Sequence, residues 1–148
     1  MREDQSTVLL VEDEPLIRLF LSDLLEDSGF KVVEAANALE AMTILEGGRA
    51  IDVLLTDVDM PLGYTGFALA RNVCKYWPHI GILIMSGRHL PARGELPPGA
   101  AFLSKPCPNE AILSHVQSAV LRTKQPGKPA GTSGEATAGG ILPFPKTA

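Results

Sequence analysis

The strongest constraint on the fold is a set of short apolar runs, each too brief for a helix and each ending abruptly in polar residues. Thr7–Val11 (TVLLV) gives way to Glu12-Asp13-Glu14, the run within Ile51–Thr56 reaches Asp57, and Ile80–Met85 (IGILIM) stops at Ser86-Gly87. Runs of this length suit strands buried on both faces of a parallel sheet, with their C-terminal ends open to solvent. Two shorter strands are expected at Lys31–Glu34 and Ala101–Ser104, the latter followed by Lys105-Pro106.

Between these runs the apolar spacing becomes helical. Pro15 suits a first helical position, and Leu16, Ile17, Leu19, Phe20, Leu21, Leu24 and Leu25 give the first helix a broad apolar face, closed by Gly29. Asn37 is placed to cap a second helix carrying Leu39, Met42, Ile44 and Leu45, with Glu40 in a capping-box-like arrangement and Gly47-Gly48 at its end. A third helix is expected over Phe67–Tyr76 after Gly66, stopped by Trp77-Pro78, and a last one from Pro108 or Asn109 to about Arg122. Strands alternating with helices imply a doubly wound α/β fold, a parallel sheet covered on both faces with right-handed crossovers.

Length and composition agree with one globular domain. The 148 residues are 45% apolar and 20% charged. The expected division is an N-terminal extension over 1–6, a folded domain over 7–123 and a disordered tail over 124–148, rich in Pro, Gly, Ala and Thr. Within that tail, ILPFPK (Ile141–Lys146) is the one apolar stretch, read as a neutral disordered end rather than a docking motif. A net charge of −4 with no basic cluster argues against a dedicated nucleic-acid binder. Two cysteines far apart, Cys74 and Cys107, suit reduced thiols in a cytoplasmic protein. The charged start MREDQS precedes only the short run VLLV, so no signal peptide is expected. No stretch approaches the ~20 apolar residues of a membrane span. His79, His89 and His115 share no metal-ligand spacing and are read as exposed or incidental, Cys74 as core packing and Trp77 as packing at a helix end.

In an open α/β sheet, ligands bind outside the carboxyl ends of the strands. Glu12, Asp13, Asp57 and Ser86 would meet there, with Lys105 after the fifth strand. Three carboxylates at close range repel one another, and a divalent cation or the Lys105 ammonium relieves this. Carboxylate oxygens with few dedicated ligands suit Mg²⁺. Around one point, a cation, an aspartate, a hydroxyl and a lysine make a site for a phosphoryl group, the aspartate supplying a nucleophilic oxygen.

In this order and at these separations, VLLVEDEP, LLTDVDMP, ILIMSG and FLSKP resemble the receiver domain of two-component response regulators, over about Val8 to Leu121. The resemblance implies a flavodoxin-like sheet of five parallel strands in order 2-1-3-4-5 with five helices. It implies that Asp57 is the phosphoacceptor and that Mg²⁺ is held by Asp13, Asp57, the Asp59 backbone carbonyl, and Glu12 directly or through water. Ser86 would be the hydroxyl that follows the phosphoryl group, Lys105 the lysine that pairs with it, and Phe102 the aromatic switch residue. Phe102 lacks a phenolic hydroxyl, so switching would rest on packing. The family often has a cis Lys-Pro bond at the position of Lys105-Pro106. The phosphoryl donor would be a sensor histidine kinase or histidine phosphotransfer protein, and only self-phosphorylation and self-dephosphorylation chemistry is expected. With only about 26 residues after Arg122, the chain reads as a single-domain regulator acting through protein contacts.

Two features depart from the family pattern. Gly66 stands nine residues after Asp57, one more than the usual spacing, so LGYTG should reshape the rim. Where the family has its fourth helix, RHLPARGELPPG (Arg88–Gly99) leaves no uninterrupted helical stretch, since interior proline costs ~3 kcal/mol and glycine ~1. A short or irregular fourth helix is expected. Asp59 and Arg88 are expected to pair across the entrance and tune the lifetime of the aspartyl phosphate. Two rival readings stand: a pseudo-receiver that binds partners without phosphorylation, and a haloacid-dehalogenase-type phosphatase with Asp59 as general acid. The second lacks a capping domain and has its DVD motif far from the first strand.

Overall fold

The computed structural model describes residues 5–61 and 64–123. Most of the expected N-terminal extension, the whole 124–148 segment, and Leu62 and Gly63 of the rim loop lie outside the described residues.

Five strands, β1 (Thr7–Val11), β2 (Lys31–Ala35), β3 (Val53–Asp57), β4 (Gly81–Ser86) and β5 (Ala101–Ser104), form one parallel sheet in the order β2-β1-β3-β4-β5. Ser6, just before β1, is buried and its carbonyl accepts from the Lys31 N–H at 2.8 Å. The helices are α1 (Pro15–Asp27), α2 (Ala38–Glu46), α3 (Gly66–Tyr76) and α4 (Asn109–Thr123).

The side-chain alternation of a strand splits the core in two. Leu9, Val11, Leu54, Ile82 and Ile84 face one side and pack with Ala41 and Leu45 of α2 and Leu69, Ala70 and Val73 of α3. Val8, Leu10, Val53, Leu55, Leu83 and Met85 face the other and meet Leu21 and Leu25 of α1 and Ile112 and Val116 of α4. Cys74 and Trp77 are partly buried against the first cluster, as expected of packing residues.

Local signals behave as read. The Asn37 side chain accepts from the Glu40 N–H at 2.8 Å, and Glu40 reaches back to the Ala36 N–H at the same distance, a reciprocal cap. Gly29 follows α1 at φ 96°, which suits glycine.

Two expectations are corrected. Among the described residues no helix lies between β4 and β5; residues 88–100 run in turns and extended chain, a stronger departure than a short or irregular helix. Leu96 and Ala100 of this segment cover part of the sheet in its place. The broad apolar face of α1 is not all core. Leu21 and Leu25 are buried, whereas Leu16, Ile17, Leu19 and Phe20 are 40–75% exposed. A helix on a sheet buries one stripe, and α1 carries more apolar residues than one stripe holds.

Candidate functional site

The polar ends of β1, β3 and β4 meet at one edge of the sheet, as their parallel register requires. The chain leaving β1 is bonded on both sides of Asp13. The Glu12 N–H donates to the Ala35 carbonyl (3.1 Å), and the Glu12 carbonyl accepts from Arg18 Nη1 (2.8 Å). Glu12 Oε2 accepts from the Glu14 N–H (3.2 Å), while Glu14 Oε1 caps α1 by accepting from the N–H groups of Leu16 and Ile17. Glu12 is only 3% exposed, whereas Asp13 is exposed.

Asp57 closes β3 as a partly buried residue beside Met85 of β4. Its Oδ1 accepts from the Val58 N–H at 3.0 Å and lies 3.5 Å from Lys105 Nζ. Gly66, the first residue of α3, donates its N–H to the Val58 carbonyl at 2.8 Å, and a Cβ there would sit 2.0 Å from the Asp57 carbonyl oxygen. Only glycine lets the helix approach this closely.

Carboxylate oxygens of Glu12, Asp13 and Asp57 lie within 4.8 Å of one another. Lys105 Nζ, 3.5 Å from Asp57 and 3.8 Å from Glu12, is the cation nearest to them in the salt bridges formed. Burial pushes the Glu12 carboxyl above the ordinary carboxylate range, opposed by the Glu14 N–H and Lys105 and reinforced by Asp57 and Asp13. Burial likewise raises Asp57, against the pull of Lys105 and the Val58 N–H. Three carboxylates facing one ammonium leave negative charge in excess, and all-oxygen donors suit a hard divalent cation. The residues present therefore fit Mg²⁺. The Lys105-Pro106 peptide bond is cis, and the Lys105 N–H donates to the Ser86 carbonyl at 2.8 Å.

Ser86 ends β4 almost fully buried, and its Oγ accepts from the N–H groups of Arg88 (3.2 Å) and His89 (3.0 Å). With both acceptor sites used, the hydroxyl proton is left to donate. Phe102 is half-buried on the α2–α3 side of the sheet and stacks on Phe67, ring centroids 6.3 Å apart.

Asp59 does not pair with Arg88 as expected. Its Oδ1 lies 2.8 Å from His89 Nε2, while Arg88 lines the acidic cleft without reaching it. The Ser86-anchored turn carries residue 89, not 88, toward Asp59. His89 and Arg18 are the two site residues that sequence reasoning passed over. Arg18 is legible in retrospect, as the lone basic residue of α1 among apolar neighbours.

A family model described as a response regulator receiver domain matches residues 8–117. Over 109 residues the chain is 38% identical to the sensor kinase CckA of Brucella abortus, covering 68% of this chain and 11% of that protein. It is 31% identical to the transcriptional regulatory protein FixJ of Azorhizobium caulinodans over 126 residues, 82% of this chain and 58% of the relative. The chain thus spans less than two thirds of the length of these relatives. Among solved structures, a response regulator receiver protein from Sinorhizobium medicae superposes with a TM-score of 0.76 at 26% identity, covering 82% of this chain and 98% of that one. A response regulator receiver domain protein from Clostridium thermocellum gives 0.71 at 28% identity, covering 80% and 97%.

Proposed function

The chain belongs to the response regulator receiver family, and we propose that it is a phosphoacceptor switch of a two-component or phosphorelay pathway, phosphorylated on Asp57 by a partner phosphohistidine. The observation that most supports this is the convergence of Asp57, Glu12 and Asp13 with Lys105 3.5 Å from Asp57 Oδ1. On this reading a carboxylate oxygen of Asp57 attacks phosphorus, the P–N bond breaks with its electron pair passing to the ring nitrogen, and the partner's imidazole leaves. Lys105 pairs with the phosphoryl oxygens, and the Ser86 hydroxyl donates to them. Glu12, Asp13 and Asp57 would hold Mg²⁺ by carboxylate and Asp59 by its backbone carbonyl, and the ion would neutralise charge on the transferring group. Self-dephosphorylation returns Asp57 to its carboxylate when water attacks phosphorus and the acyl phosphate P–O bond breaks.

The signal then passes through the residues that touch the new charge. Ser86 holds the turn at Arg88 and His89, so drawing its hydroxyl toward the phosphoryl group shifts that turn. Phe102, stacked on Phe67, responds through packing. Asp59 and Arg88 border the cleft, Asp59 held by His89, and tune access of water to it.

The partner would be a sensor histidine kinase or a histidine phosphotransfer protein. The exposed Leu16, Ile17, Leu19 and Phe20 offer it an apolar surface, with Ile17 at the cleft itself. A cytoplasmic setting accords with the free thiols of Cys74 and Cys107, and no described helix is long and apolar enough to cross a membrane. The phosphatase reading would need Asp59 as proton donor, and its carboxylate is instead bonded to His89.

The test is incubation with acetyl phosphate and Mg²⁺, followed by intact-mass measurement. One phosphoryl mass is expected on the wild type and none on Asp57→Asn. No Asp57-dependent change would favour the pseudo-receiver, and steady turnover of a generic phosphomonoester would favour the phosphatase.

A further inference from the structure

Asp13 is the exposed member of the acidic cluster, and it makes no hydrogen bond or salt bridge among the described residues. Nothing but its own backbone aims its carboxylate at Glu12 and Asp57. The Glu12 carbonyl shares one rigid peptide plane with the Asp13 nitrogen and Cα, so fixing that carbonyl fixes where the Asp13 Cα sits and leaves only its own φ and side-chain torsions to aim the carboxylate. The group that fixes it is Arg18, whose Nη1 donates to the Glu12 carbonyl at 2.8 Å. The guanidinium is anchored in turn by Nε on Glu34 Oε1 of β2 at 3.1 Å, and the Arg18 backbone N–H donates to the Glu14 carbonyl at 2.9 Å. A planar fork held at two of its nitrogens has little freedom left to turn.

We infer that Arg18 is a positioning residue for the cation site, setting the place of Asp13 through the Glu12–Asp13 peptide. The inference rests on the proposed Mg²⁺ site and assigns its support to a residue that touches neither the ion nor the phosphoryl group.

Electrostatics alone makes the opposite prediction. Arg18 brings a positive charge to the Glu12 carbonyl, next to the acidic cluster, so removing it should if anything tighten binding of a divalent cation. A positioning role requires that removal weaken it, despite the gain in local negative charge. The sign of the change therefore decides.

The experiment is calorimetric titration of the full chain with Mg²⁺ alone, comparing wild type, Asp13→Asn, Arg18→Met and Arg18→Lys, with thermal unfolding in the absence of metal as a check on the fold. Arg18→Met is expected to weaken binding roughly tenfold, the low end of the ~10–100-fold losses that follow removal of a ligand's support. Arg18→Lys keeps the charge but has one ammonium where the fork had two bonded nitrogens, so a loss of a few-fold is expected; charge alone predicts no change. Should Arg18→Met fail to fold, Arg18→Lys still decides between the two. Affinity that holds or improves in the Arg18 variants, with wild type binding and Asp13→Asn not, overturns the positioning role and leaves the metal site standing. Wild type that shows no Asp13-dependent binding overturns the site and the inference together.

Discussion

The chain leaving β1 and the segment leaving β4 border the same cleft, and they are held in different ways. After β1, Glu12 is tied by a backbone bond to β2 and by the Arg18 fork, Glu14 by its cap, with Asp13 carried between them, and a helix begins at once. After β4, the helix is missing, and residues 88–100 hang on the Ser86 hydroxyl, the His89–Asp59 contact, and Arg71 and Glu95 reaching nearby backbone groups. On the proposed reading, the acidic half is held ready for a cation, where preorganisation reduces the cost of binding. The hydroxyl half makes few backbone hydrogen bonds of its own, which would leave it free to rearrange if Asp57 takes a phosphoryl group as proposed.

The sharpest test sets a glycine packed on Asp57 of the acidic site against one in the segment after β4. At Gly66 a Cβ would lie 2.0 Å from the Asp57 carbonyl oxygen and 2.8 Å from its carbon, so β3 or α3 must shift. Gly66→Ala is expected to destabilise by more than ~2 kcal/mol and to lower phosphorylation of Asp57, read by denaturant unfolding and intact mass. At Gly87 a Cβ would meet only the Lys105 Cβ at 3.7 Å, an ordinary contact. Gly87→Ala should stay within ~0.5 kcal/mol of wild type. Equal penalties at the two positions would erase the distinction.

A middle-sized effect tests the charge stored in the acidic half. Glu12 and Asp57 are raised from ordinary values of 4.5 and 3.8, first of all by burial. The folded chain therefore holds these protons more tightly than the unfolded chain. Their contribution favours the fold at low pH, where both forms are protonated, and is lost as pH rises from the ordinary values through the raised ones. At neutral pH the buried charges oppose folding when no cation is present. Asp57→Asn should then raise the metal-free unfolding midpoint by a few degrees at pH 7 and flatten its dependence on pH above 4. A lower midpoint in Asp57→Asn would mean that the Lys105 contact outweighs the burial.

Much of this is legible in the sequence because it depends on short-range pattern. Apolar runs of strand length fix the sheet, the polar residues that end them fix which side chains share an edge, and Asn37 with Glu40 marks a helix start to within a residue. What escapes depends on reach and direction. Arg18 bonds a carbonyl six residues back, before the helix starts, that no spacing rule connects to it. The choice of His89 over Arg88 as the Asp59 partner turns on which way one hydroxyl-capped turn faces. The surplus of apolar residues in α1 is visible by count, yet counting does not say which four are left to solvent. Proline and glycine in 88–99 forecast a damaged helix, and the structure dispenses with it.

The smallest effect concerns that turn. His89 and Asp59 are both 49% exposed, and exposed pairs are worth ~0–1 kcal/mol, so their link should alter the rate of phosphoryl loss by no more than about fivefold. The link joins the loop after β3 to the segment after β4 across the cleft, so cutting it loosens the adaptable half and leaves the Glu12–Glu14 chain untouched. Loss of the phosphoryl group from Asp57 can be followed by mass after removal of acetyl phosphate, in His89→Ala and Arg88→Ala side by side. A change in His89→Ala that exceeds the change in Arg88→Ala is expected, because only His89 reaches Asp59. If Arg88→Ala responds and His89→Ala does not, the entrance is governed by charge at residue 88 rather than by a bond between the two loops, and the hydroxyl half is less dependent on side-chain contacts than its geometry implies.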